Sequence, residues 1–337
     1  MKAFHVLALA LVFCTAFQWV STWSIACNET VQVAAISPEQ EPICCQPSVV
    51  VSSDEYLGRQ WAISKIMAPQ AWQVTSGDPS VIIAVLDTGI DSWHKDLAGK
   101  VVAEVNFSDS PIATDIYGHG THTAGIIAAA AESSMGIAGV AYKCRLMNVK
   151  IADESGSWDG SAAAKGVIWA VDNGAKVINM SLSANEPSSD LEQAINYAWS
   201  KGAVVVCAAG NRTGTAPVYP AFYTGCIAVA ATDADDSLAT WSGYGDWVDV
   251  AAPGVHIFST LPFNDYGYKS GTSMAAAYVS GLAGLLFTIV KDGNSNGYVN
   301  DEVEAAIESG CDRLDINGIG KGRINAFKAV TQQLTSK

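Results

Sequence analysis

Ser273 stands in Gly271-Thr272-Ser273-Met274-Ala275, ahead of small and apolar residues that run to about Val290 and read as a buried helix. A serine in the first turn of a helix faces free backbone N–H groups and the positive end of the helix dipole, which suit negative charge forming beside a nucleophile. In isolation the same serine is an ordinary N-cap. Nucleophilic use needs a base, and the histidines are His5, His94, His119, His122 and His256. All of them precede Ser273, which excludes the serine, acid, histidine order of α/β-hydrolases. His119, in Tyr117-Gly118-His119-Gly120-Thr121-His122, opens an apolar helix between glycines that let other backbone approach, so it is the candidate base. His119 and His122 lack the His-Glu-x-x-His spacing of a zinc site; His122 reads as structural, and His94 and His256 as surface or loop residues. Asp87, after the apolar run Val81-Ile82-Ile83-Ala84-Val85-Leu86, is where a carboxylate would fix the tautomer of an imidazole and stabilise its charged form. Buried without a partner it would be costly.

These residues need a scaffold that brings distant segments together. Apolar, β-branched runs at 81–86, 145–151, 177–180, 203–206 and 227–230 alternate with helical stretches at 121–131, 162–172 and 190–201. Fully apolar strands alternating with helices predict an α/β fold: a mainly parallel central sheet with helices on both faces, in three layers. Ligands of such sheets lie beyond the carboxyl ends of the strands. Three strand ends carry useful residues: Asp87, Ser181 after Asn179-Met180, and Asn211 after Ala208-Ala209-Gly210.

Asp87-Thr88-Gly89-Ile90, His119-Gly120-Thr121-His122 and Gly271-Thr272-Ser273-Met274-Ala275, in that order, resemble the three active-site signatures of subtilisin-like serine proteases, most of all the thermitase branch. The resemblance extends from about Asp54 to Val330. It implies a serine endopeptidase acting on proteins or peptides, with Ser273 as nucleophile, His119 as proton carrier, Asp87 as its carboxylate and Asn211 as oxyanion donor beside the Ser273 backbone N–H. It places Ser181, Leu182, Ser183, Ala208, Ala209 and Gly210 around a roomy, apolar pocket for the residue before the cut, with broad specificity. Three departures bear on substrate fit and helix geometry: Ser183-Ala184 replaces two glycines, Ala276-Ala277-Tyr278 replaces a hydroxyl residue, Pro and His, and Lys95 replaces Pro. A subtilisin-like scaffold that binds peptides without cutting them stands as the second reading.

The formal net charge of −14 argues against a nucleic-acid partner, since no run of basic residues is present. Lys2 and the apolar stretch 6–17, too short to span a bilayer, followed by Ser24-Ile25-Ala26, predict a signal peptide at 1–26 and a secreted, extracellular protein. Lipid anchoring at Cys27 is the alternative location, and no other membrane attachment is expected. Residues 27–53 read as a short arm or propeptide, and 54–337 as the catalytic unit, expected to act as a monomer. The eight cysteines contain no C-x-x-C pair, and Cys144, Cys207 and Cys226 lie in apolar runs as candidate buried thiols. No cofactor is needed for the chemistry. The resemblance puts a structural calcium at Asp54, Asp96 and the loop 131–137, but Ser133 stands where a side-chain amide is expected, so a site without metal is the alternative. Residues 292–300 resemble the start of an EF-hand loop, yet its twelfth position is Val303, which favours a plain helix start capped by Asn300.

Overall fold

The computed structural model describes residues 54–131 and 135–335. The expected signal peptide, the arm and Ser133 lie outside the described residues. In chain order the elements are a 3-10 turn (Leu57–Arg59), α1 (Trp61–Lys65), α2 (Ala68–Ala71), β1 (Ile82–Asp87), β2 (Val101–Asn106), α3 (His119–Ala128), β3 (Arg145–Lys150), α4 (Gly160–Asp172), β4 (Val177–Met180), α5 (Ser189–Ser200), β5 (Val204–Ala208), β6 (Cys226–Thr232), β7 (Val250–Pro253), β8 (Ile257–Leu261), β9 (Asp265–Lys269), α6 (Thr272–Leu286), α7 (Asn300–Ser309) and α8 (Ala326–Thr335).

A parallel sheet takes the order β2-β3-β1-β4-β5-β6-β7, and β8 and β9 form a separate antiparallel hairpin. The chain leaves β1 toward β2 and β3 on one side and then builds β4 to β7 on the other. Strand order therefore reverses at β1, which is the topological position where parallel sheets bind ligands. Asp87 is the last residue of β1, Ser181 follows β4, and Asn211 lies three residues past β5. The α/β architecture expected from the apolar runs is the one observed.

The two faces of the sheet carry separate cores. Ile83 and Val85 of β1 point toward α3 and α6, while Ala84 and Leu86 point toward α4 and α5, the two-residue alternation of a strand covered on both sides. Every residue of α6 is buried. Complete burial of Leu282, Leu285 and Leu286 contributes about 2 kcal/mol each in removed apolar surface. Ser273 is thus carried on the most deeply packed helix of the protein.

Two expectations change at the periphery. His94 is a loop residue, as expected, but a fully buried one: its Nδ1 accepts from Asp96 N–H at 3.2 Å, its Nε2 lies 3.1 Å from Asp265 O, and burial holds it below its ordinary pKa. Asn300 begins α7 but does not cap it; its amide donates to Trp199 O at 3.1 Å. Glu302 organises the loop instead, its Oε1 accepting from Gly293 and Asn294 N–H at 3.0 and 3.3 Å.

The approach of α3 to the end of β1 depends on Gly120, where an added Cβ would lie 2.0 Å from Gly89 O and 3.1 Å from Asp87 Cβ. Gly120→Ala forces backbone apart at the point where the two segments meet, an overpacking cost of about 1–3 kcal/mol. The expected result is a thermal midpoint lowered by several degrees together with loss of activity, read by calorimetry and peptide hydrolysis on the same sample.

Candidate active site

Asp87 is 4% exposed, and its Oδ1 takes two donors at 2.7 Å, the backbone N–H of Thr88 and Nδ1 of His119. An acceptor at that distance fixes the proton on Nδ1 and leaves Nε2 with its lone pair facing outward. Burial pulls the His119 pKa down, but the charge of Asp87 and its hydrogen bond outweigh that and hold it above the ordinary value. His122 takes the opposite course. It is completely buried, its Nε2 faces Ile257 O and Gly267 O at 3.1 and 3.2 Å, and burial followed by repulsion from His119 pushes its pKa down to about 3. It is a neutral structural group, as the sequence suggests.

A second carboxylate, which the sequence reading did not single out, holds this pair in register. Asp115 is 1% exposed and accepts five donors. Oδ1 receives Thr88 Oγ1 at 2.9 Å and the N–H groups of Tyr117 and Gly118 at 3.0 and 2.8 Å. Oδ2 receives Thr121 N–H at 2.9 Å and its hydroxyl at 2.7 Å. The donors come from the residue after Asp87 and from both sides of His119. Thr88 is clasped further by Gly120 N–H on its hydroxyl at 3.0 Å and by Nζ of the fully buried Lys150 on its carbonyl at 2.7 Å.

Ser273, 7% exposed, and Ser181 exchange bonds: the Ser181 hydroxyl donates to Ser273 O at 2.8 Å, and Ser273 Oγ donates to Ser181 O at 3.0 Å. Asn179, fully buried, donates to Ser181 Oγ and accepts from Ser280 Oγ, each at 2.9 Å, so the end of β4 and the first turns of α6 are locked together. Asn211 Oδ1 accepts from the N–H and hydroxyl of Thr272 at 2.8 and 3.0 Å. A backbone N–H can only donate, so the atom facing it is the carbonyl oxygen and Nδ2 is left for another acceptor.

Asp87, His119, Ser273, Asn211, Ser181, Leu182, Ser183 and Ala208 line one cleft of about 230 Å³, joined by Tyr117, Gly156 and Trp158. Ala209 and Gly210 lie behind it. A roomy, apolar pocket is expected between 181–183 and 208–210, and Val218 and Ser183 both come close to that region. A Cβ placed on Gly210 would lie 3.4 Å from both Val218 methyl groups and 3.5 Å from Ser183 Oγ, all ordinary contact distances. Asp54 and Asp96 are both buried, and Asp96 Oδ2 accepts Ile137 N–H at 2.9 Å and the Tyr266 hydroxyl at 2.8 Å, while part of the loop expected to complete a calcium site lies outside the described residues. No group of three His, Cys, Asp or Glu placed to hold a metal occurs among the described residues.

The model of the subtilase family matches residues 78–318. The chain belongs to the subtilase family. It is 48% identical to thermitase of Thermoactinomyces vulgaris over 282 residues, covering 82% of this chain and 98% of that protein. A thermophilic serine proteinase of a Bacillus species is 46% identical over 279 residues, 82% of this subtilase and 68% of the relative. Among solved structures, a protease of Pseudoalteromonas arctica superposes with a TM-score of 0.76 at 30% identity, over 84% of this chain and 99% of the other. The subtilase is accordingly a subtilisin-like serine endopeptidase that acts on protein or peptide substrates, and subtilases need no cofactor for the reaction.

Because Asp87 raises the His119 pKa, hydrolysis of a neutral peptide should rise with pH through that pKa, as His119 loses its proton, and then level off. In Asp87→Asn the rise should move to lower pH, since the stabilising charge is gone, and the plateau should fall about 10⁴-fold. Asp115→Asn should shift the rise in the same direction by less, with kcat falling more than KM changes. Profiles that kept the wild-type midpoint in both variants would contradict this electrostatic picture.

Proposed function

We propose that this subtilase is a secreted endopeptidase in which Asp87, His119 and Ser273 form the catalytic triad and Asn211 completes the oxyanion hole. The single observation that carries the assignment is the 2.7 Å bond from His119 Nδ1 to a buried carboxylate, in a cleft shared with a serine at a helix N-terminus. Rotation of the Ser273 hydroxyl away from Ser181 O lets Nε2 of His119 accept its proton as Oγ attacks the scissile carbonyl. The proton then passes from Nε2 to the leaving amine. Water hydrolyses the acyl-enzyme by the same route in reverse, its proton taken by His119 and returned to Ser273. Negative charge on the carbonyl oxygen falls between Asn211 Nδ2 and the Ser273 N–H, donors whose directions are set before substrate arrives.

Substrate chain binds along residues 181–183 and 208–210, the stretches that continue β4 and β5. Apart from Asp87 and His119 the cleft lining carries no charged side chain, which supports specificity that is broad along most of the substrate chain, governed by main-chain pairing and apolar contact with Leu182, Ala208 and Trp158 and not by charge. Residues 1–26 act as an export signal, 27–53 as a short arm or propeptide, and 54–337 as a monomeric catalytic unit. No helix among the described residues is long and apolar enough to cross a membrane.

Labelling with a fluorophosphonate probe, followed by intact mass, should add one adduct to the wild type and none to Ser273→Ala. The same spectrum dates the N-terminus: a mature chain beginning at Cys27 without added lipid supports secretion. Asn211→Ala should lose about 10²–10³-fold in kcat with little change in KM, a magnitude carried over from subtilisin, another subtilase. A folded wild type that takes no label would overturn the assignment.

A further inference from the structure

We propose that this subtilase cuts after small residues, glycine, alanine or serine, and that Val218 together with Ser183 sets the limit. The inference rests on the assignment of Ser273 as nucleophile, since that fixes where the acyl-side residue of the substrate must lie. Its carbonyl carbon has to reach Ser273 Oγ, with its oxygen toward Asn211. Its side chain is thereby directed between the stretch 181–183 and the stretch 208–210.

That space is occupied. The position of a Cβ on Gly210 lies 3.4 Å from Val218 Cγ1, 3.4 Å from Val218 Cγ2 and 3.5 Å from Ser183 Oγ, all ordinary contact distances. One tetrahedral carbon bridges from one wall to the side chains of the other. The gap at this level is therefore about one methyl group wide.

Val218 is held there. Ala184 and Tyr219 exchange backbone hydrogen bonds, Ala184 N–H to Tyr219 O at 2.7 Å and Tyr219 N–H to Ala184 O at 2.8 Å, which pins the loop carrying Val218 against the wall that carries Ser183. The Tyr219 ring packs on Tyr223 and Phe222 at centroid distances of 4.9 and 6.0 Å, and Val218 itself packs against the core beneath the sheet. Swinging Val218 aside would require breaking this bridge or moving those rings.

The open cleft runs from Ser183 and Ala208 past Leu182 to Ala152, Gly156, Trp158 and Tyr117, and neither Gly210 nor Val218 contributes to its lining, so the open space ends short of them. Apolar side chains further upstream in the substrate can dock there. Binding energy from that remote contact can serve the chemical step at Ser273 without demanding anything of the acyl-side residue. Selection is thus by exclusion next to the cut and by apolar attraction away from it.

The test is a peptide series with one apolar upstream sequence and Gly, Ala, Ser, Val, Leu or Phe before the cut, assayed with wild type, Val218→Gly, Val218→Ala and Ser183→Gly. Wild type should favour Ala over Phe in kcat/KM by at least about tenfold, the scale on which a pocket discriminates by size. Val218→Gly should raise the Phe-to-Ala ratio by about 10–200-fold. Val218→Ala and Ser183→Gly should move it part of the way, and the milder Ala variant keeps the test open if the glycine variant does not fold. Wild-type cleavage after Phe or Leu as fast as after Ala, or a ratio unmoved by both Val218 variants, overturns the proposal. Ser273→Ala reports on the catalytic assignment separately: cleavage surviving in that variant would remove Ser273 as nucleophile whatever the size preference.

Discussion

The bond between Asp87 and His119 is the contact on which the site depends, and its cost explains much of the surrounding structure. Removing a carboxylate from water is expensive unless its oxygens are met by donors. Asp87 ends a strand buried on both faces, so the donors must be brought to it, and the sheet and α3 bring them. The second carboxylate, Asp115, does for the loop what Asp87 does for the imidazole. With Thr88 between the two and Lys150 on the Thr88 carbonyl, the end of β1, the loop before α3 and the end of β3 form one hydrogen-bonded unit. A His119 rotamer is fixed by that unit before any substrate is present, which is the preorganisation electrostatic catalysis requires.

The other half of the site is built by a different means. Ser273 is placed by helix packing, with α6 lying beside α3 on the same face of the sheet, and the exchange of bonds with Ser181 sets its height relative to β4. Polar networks orient His119, and apolar burial seats Ser273. The two halves are joined beneath the cleft, where α3 and α6 pack against each other in one apolar core.

Much of this was legible in the sequence where a local signal existed. Continuous apolar runs marked β1 and β3 to β6 because parallel strands covered on both sides have no wet face. β2 left no such mark, since it is the edge strand and alternates between exposed and half-buried positions. The hairpin β8–β9 was missed for a related reason, its second strand being largely exposed or half-buried. Asp87, His119 and Ser273 stood out through spaced signatures, and Asn211 as the end of an apolar run. Asp115 did not, because its role consists of donors that arrive from Thr88, 27 residues away, as well as from its own loop. Val218 lies in Pro217-Val218-Tyr219-Pro220, which reads as an ordinary turn-rich connection until the bridge to Ala184 is seen.

The burial of α6 has a bearing on how such a molecule ages among its own kind. A proteolytic enzyme at high concentration is also a substrate, and a nick requires a stretch of backbone to leave the fold and lie extended in another copy's cleft. Surface loops can do that by local opening, but a helix whose every side chain is packed can do it only when the whole domain comes apart. Ser273 therefore sits, among the described residues, on a segment well protected from self-digestion. A molecule nicked in a surface loop would still hold α6, and with it Ser273, inside an unopened core.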